Sequence, residues 1–108
     1  CPTNIGFQLS TISGEEQLCY DTQSKEIRFT IENGAVTEIQ GIIVSINGEQ
    51  LAELTDLNIK KAGTYIGTVS YDTAEFNTVG LIPLILVEGE AQRCARETIE
   101  KNDVGICS

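Results

Sequence analysis

Residues 26–33 read EIRFTIEN, and residues 41–54 read GIIVSINGEQLAEL. In the first stretch Ile27, Phe29 and Ile31 alternate with Arg28, Thr30 and Glu32. Successive side chains of an extended strand point to opposite faces, so this alternation predicts a strand with one buried face. Asn33-Gly34, a turn-forming pair, then ends it. The second stretch differs. Ile42, Val44 and Ile46 share one face while Ile43 sits on the other, so GIIVSI predicts a central strand. Asn47-Gly48 follows, and a type I′ hairpin turn needs positive φ at both central residues, which Asn and Gly tolerate best. GIIVSI and EQLAEL are therefore expected to pair.

The same two-residue period runs outward in both directions. In NIGFQLST (residues 4–11), Ile5, Phe7 and Leu9 alternate with Gly6, Gln8 and Ser10, which predicts a half-buried strand. SGEE (13–16) reads as a turn. Ser13 and Glu16 also have capping-box spacing, but no amphipathic helical run follows them. Leu51, Leu54 and Leu57 are three apart, which would also suit a helical turn. KKAG (60–63) is a turn, and TYIGTVSYD (64–72) a strand with Tyr65, Val69 and Tyr71 on one side. VGLIPLILVEG (79–89) is another strand. Pro83 cannot donate to a ladder, so a bulge or an exposed edge is expected there. EGEAQR (88–93) reads as a hairpin loop, and residues 94–107 as a last strand interrupted near Asn102-Asp103.

This gives seven or eight short strands with turns between them, and no helix is demanded. The expected fold is all-β: an antiparallel immunoglobulin-like β-sandwich forming a single domain over residues 1–108. The chain has 108 residues, 41% of them hydrophobic, which suits one modest core.

Composition excludes several functions. There is no histidine, so Ser-His-Asp and Cys-His nucleophile systems and His-containing metal sites are out. Sixteen Asp and Glu stand against seven Lys and Arg, a net charge of −9. The longest basic run is Lys60-Lys61, so no nucleic-acid partner is expected. The longest apolar run, residues 79–87, is too short for a membrane span and contains Pro83. The chain begins at Cys1 without a methionine, which suggests a processed chain whose upstream segment is missing.

No catalytic constellation emerges. Glu15-Glu16 and the Glu88, Glu90 pair fall in predicted loops, whereas a glycosidase holds two carboxylates across a cleft. GTYIG (63–67) lacks the lysine of a phosphate loop. Asp103 could offer an oxygen to calcium, but no Asp-x-Asp-x-Asp spacing accompanies it. Tyr20, Tyr65 and Tyr71 could line a sugar-binding face or pack the core, and packing is the favoured reading. No enzyme activity, cofactor or metal site is expected.

The four cysteines, Cys1, Cys19, Cys94 and Cys107, contain no Cys-x-x-Cys pair. Two structural disulfides are expected, and with them an oxidising compartment or a hyperthermophile whose interior tolerates disulfides. Three pairings are open. Strand directions in an immunoglobulin-like order place the start of the first strand beside the start of the last, and the start of the second beside the end of the last. Cys1–Cys94 and Cys19–Cys107 are therefore favoured, because bridged Cα atoms lie within about 7 Å. The local alternative is Cys1–Cys19 with Cys94–Cys107.

IRFTIENGAVTEIQGIIVSINGEQ (27–50) followed by IKKAGTYIGTVSYD (59–72) resembles adhesion-type immunoglobulin-like modules of archaeal and bacterial surfaces. LCYDTQSKEIRFTIEN (18–33) and LIPLILVEGEAQRC (81–94) resemble the globular head domains of archaeal pilin-like and flagellin-like filament proteins. The resemblance implies a non-enzymatic structural domain, extracellular or on the cell surface, whose partners are further copies in a homo-oligomer or filament. A surface or glycan ligand is a further partner class. The alternatives are a monomeric adhesion or carbohydrate-binding module, or an accessory domain of a secreted enzyme. In those filament proteins a hydrophobic helix precedes the domain, and the present sequence departs in lacking it.

Overall fold

The computed structural model describes residues 1–2 and 4–107. The described chain forms β1 (Gln8–Leu9), β2 (Thr11–Ile12), β3 (Glu15–Glu16), β4 (Leu18–Asp21), β5 (Glu26–Glu32), β6 (Gly41–Ile46) and β7 (Glu49–Leu54). Then come β8 (Thr64–Ser70), β9 (Val79–Val87), β10 (Glu90–Arg93), a single 3-10 turn (Ala95–Glu97), β11 (Ile99–Lys101) and β12 (Gly105–Ile106). These segments build two sheets and a small β2–β3 ribbon.

In the first sheet β5 is central. β8 pairs along all of one side, while β4 and then β1 share the other, and β12 adds to β4 in parallel. In the second sheet β6 and β9 are central. β7 lies outside β6, and β10 and β11 share the outer side of β9. Each sheet holds five strands, all paired antiparallel except β12, and the two sheets form an antiparallel β-sandwich.

The alternation in EIRFTIEN decides how the sheets meet. Ile27, Phe29 and Ile31 are fully buried, and they belong to one core with Ile42, Val44, Ile46, Val79 and Leu81 of the second sheet. Ile43, on the outer face of β6, is only 1% exposed, as expected for a strand covered on both sides. Gly67 occupies an inward position of β8 between Tyr65 and Val69. A Cβ there would lie 2.5 Å from the Phe29 ring, so glycine makes room for the largest fully buried side chain. Gly34 is equally constrained: a Cβ would collide with the Ile5 carbonyl where the N-terminal segment crosses it.

Several sequence expectations need correction. NIGFQLST buries Ile5, Phe7 and Leu9 but is not one strand: Asn4 and Gly6 take positive φ and break the extension, Gln8–Leu9 is β1, and Thr11 already begins β2. SGEE is not all turn. Ser13-Gly14 makes the two-residue turn with φ of 53° and 81°, and Glu15 and Glu16 are already β3. EGEAQR is not a loop either. Glu88-Gly89 turns with φ of 52° and 84°, and Glu90–Arg93 forms β10. Both turns have the positive-φ geometry that Asn47-Gly48 was expected to have, and has.

The leucine spacing in EQLAEL reflects a bulge, not a helix. The β6–β7 register shifts between Val44 and Ser45, with Ala52 opposite Val44 and Gln50 opposite Ser45. Leu51 is the extra residue, so both Leu51 and Leu54 reach the core despite being three apart.

Pro83 is neither bulged nor at an edge. It pairs in register with Ile42 in the middle of β9. Its main-chain nitrogen points to the other side, toward the break between β10 and β11. There the chain leaves the ladder as the 3-10 turn, and the Cys94 amide bonds the Pro83 carbonyl at 2.9 Å. The missing donor is thus accommodated by interrupting the neighbouring strand. For the same reason residues 94–107 are not one strand. They arch past Pro83, form β11 on the second sheet, and cross to the first sheet as β12.

Candidate functional site

Cys1 and Cys94 form one disulfide with Cα atoms 5.8 Å apart, and Cys19 and Cys107 form the other at 5.0 Å. No cysteine is left free among the described residues. The expected pairing holds, and the structure adds its local cause. Cys94 is held by its amide bond to Pro83 and is 1% exposed. Cys107 is presented to Cys19 by the parallel β12–β4 pairing, in which the Cys107 amide bonds the Tyr20 carbonyl. The first bridge ties the segment entering the first sheet to the edge of the second. The second bridge closes the first sheet on itself.

The other candidate side chains are not gathered into one place. Glu15 and Glu16 line a surface depression with Arg28, Lys101 and Asp103, where Lys101 bonds Glu16 at 2.8 Å. Glu88 and Glu90 stand exposed at the β9–β10 turn. Among the described residues no three His, Cys, Asp or Glu side chains converge as a metal site would require. Tyr20 and Tyr71 pack edge-on against Phe76 at one end of the sandwich, with the Tyr20 hydroxyl donating to the Tyr71 carbonyl at 2.6 Å. Burial, with Asp72 and Asp21 nearby, raises the Tyr20 hydroxyl above its ordinary value. Tyr65 lies apart against Phe29. The tyrosines are packing residues and form no common face.

Asp21 is the best-anchored carboxylate. One oxygen accepts the amides of Gln23 and Ser24 at 2.9 and 3.1 Å, and the other accepts from Arg28 at 2.9 Å. The Ser24 and Gln23 amides, with the Arg28 charge, hold the carboxyl below its ordinary value. A depressed folded value means that Asp21 favours folding above the ordinary Asp value of about 3.9 and loses that contribution as pH falls through the folded value. Asp21→Asn should therefore unfold more readily than wild type in urea at pH 7. The gap should narrow as the pH drops below about 4.

What distinguishes this surface is the contrast among sheet edges. An edge strand exposes unpaired amides and carbonyls, and proteins shield such edges with charge, bulges, proline or short strands. β7 carries Glu49 and Glu53 and the bulge at Leu51. The β10–β11 edge is broken by the 3-10 turn and the Cys94 bridge, and β12 is two residues long. β8 has none of these devices. Its seven residues, TYIGTVS, carry no charge and no proline, and pair with β5 without a register shift. Since the Asn33 amide bonds the Gly63 carbonyl and the Tyr71 amide bonds the Lys25 carbonyl, the odd-numbered residues of β8 face β5. The main-chain groups of Thr64, Ile66, Thr68 and Ser70 therefore point away from it, and no bond to them is present among the described residues. Ile66 is 68% exposed on the outer face.

Compared with known proteins, the chain matches no family model, no curated protein and no solved structure. Sequence reasoning did not single out β8. The available signal was the uncharged run from Ala62 to Tyr71, bounded by Lys61 and Asp72.

Proposed function

We propose that this chain is a non-enzymatic structural domain of an extracellular or cell-surface assembly, filament-like in organisation, which acts through contacts between copies. The observation that supports this reading is the open β8 edge on a sandwich whose other edges are shielded. Strand addition at such an edge supplies main-chain hydrogen bonds without a deep pocket. Two disulfides fit an oxidising environment, and no helix among the described residues is long and apolar enough to cross a membrane. The acidic surface keeps the separate domain dispersed until an edge is matched.

The test is sedimentation velocity on the oxidised protein across a concentration series reaching about 1 mM, a range that detects interactions of about −4 kcal/mol. Reversible association that strengthens with concentration is expected. A strictly monomeric protein across the whole series would overturn the reading.

A further inference from the structure

The β8 edge is flanked asymmetrically. Lys60 and Lys61 precede it, and Asp72 and Glu75 follow it, all four exposed. Two copies meeting in parallel at β8 would set basic end against basic end and acidic against acidic. Two copies meeting antiparallel would set each basic end against the other copy's acidic end. We infer that β8 pairs antiparallel with β8 of a second copy across a two-fold axis at Gly67, joining the two first sheets into one. This rests on the self-assembly reading above and adds the edge, the direction and the register.

The register follows from which groups are free. Only Thr64, Ile66, Thr68 and Ser70 present main-chain donors and acceptors outward, so these must form the hydrogen-bonded pairs. Full overlap of seven residues places Thr64 opposite Ser70 and Ile66 opposite Thr68, with each relation repeated by the two-fold. The Ile66 side chain then lies beside the Thr68 methyl of the other copy, which covers the most exposed large apolar residue of the fold. The central Gly67 pair removes side-chain bulk where the two strands are closest, since glycine neighbours face each other at the axis. Both copies carry a charge of −9, yet the contact itself is uncharged, and the flanking ends attract. A two-fold contact uses the same patch on both partners and closes, so this pairing makes a dimer. A filament built from such dimers needs a second, separate contact.

The experiment is a charge exchange read by sedimentation velocity at low salt. One variant is Lys60→Glu/Lys61→Glu, and the other is Asp72→Lys/Glu75→Lys. Each alone should dimerise at least about tenfold more weakly than wild type, because like charges then meet at both ends. An equimolar mixture should recover wild-type association, since every end again meets its opposite, and recovery also shows that both variants are folded. Thr68→Pro removes an outward amide while leaving the β5 ladder intact, and should abolish dimerisation. If wild type associates but the variants alone associate equally well, the β8 pairing is overturned and the self-assembly reading survives. If wild type does not associate, the self-assembly reading itself falls.

Discussion

Removing both disulfides should leave the domain unfolded at 37 °C. The bridges close loops with sequence separations of 93 and 88 residues. Each loop taken alone would be worth about 4–5 kcal/mol in the chain-entropy model. The loops interlock, however, so their effects do not simply add. Once Cys1–Cys94 is closed, the 18 residues from Cys1 to Cys19 and the 13 from Cys94 to Cys107 leave Cys19–Cys107 a circuit of about 31 residues to close. That second closure is worth about 3.7 kcal/mol. Cys19→Ala/Cys107→Ala should therefore lower stability by roughly 3–4 kcal/mol, and removing both bridges by about 8. The second figure is comparable to the whole stability of a typical domain. Urea unfolding of wild type, each single-bridge variant and fully reduced protein, followed by circular dichroism, checks this. A reduced protein that unfolds at the same urea concentration as the oxidised one would overturn it.

Phe29→Ala should be the most damaging single core substitution, costing about 3–5 kcal/mol. Phe29 is fully buried at the centre of β5, and its ring occupies the space left by the missing Cβ of Gly67. The converse substitution, Gly67→Ala, overfills the same space and should cost about 1–3 kcal/mol. Because both act on one volume, they should not add. Phe29→Leu/Gly67→Ala should be more stable than the sum of its single changes by about 1 kcal/mol or more. A double-mutant cycle from urea unfolding measures this coupling, and a coupling of zero would mean that Gly67 is not the partner of the ring.

Much of the fold was legible because the side-chain period of a strand is written directly in the residues. Ile27, Phe29 and Ile31 could only share a face, and Asn47-Gly48 could only turn. The cysteine pairing followed from strand directions, which alternate whatever the details of each strand. Less legible were features set by a neighbour in space. Pro83 looked like a local irregularity of β9, but the accommodation lies in the chain beside it, where Cys94 leaves the ladder. Glu88-Gly89 and Ser13-Gly14 turn as tightly as Asn47-Gly48, yet Glu and Ser signal positive φ weakly. The open edge was harder still. An uncharged run reads alike whether the strand is central, as β9 is, or lies at an edge, as β8 does, and only the pairing separates them.

The interlocked bridges also fix how far the domain can be stretched. Cys1 joined to Cys94 makes one covalent junction, and Cys19 joined to Cys107 makes another. Three lengths of chain connect these junctions: 13, 18 and 75 residues. Force applied across Cys1 and Cys107 pulls on all three in parallel, so the shortest sets the limit, at about 45 Å for a fully extended chain. The folded domain is itself 40 Å long. Reduced, the same ends could separate by roughly 370 Å. Pulled at these points, the oxidised domain therefore cannot be drawn out much beyond its own folded length. Residues between Cys19 and Cys94, including both central β6 and β9, are shielded from tension by the shorter routes. A row of such domains would transmit a pull as a chain of fixed links, whether or not their cores stayed folded.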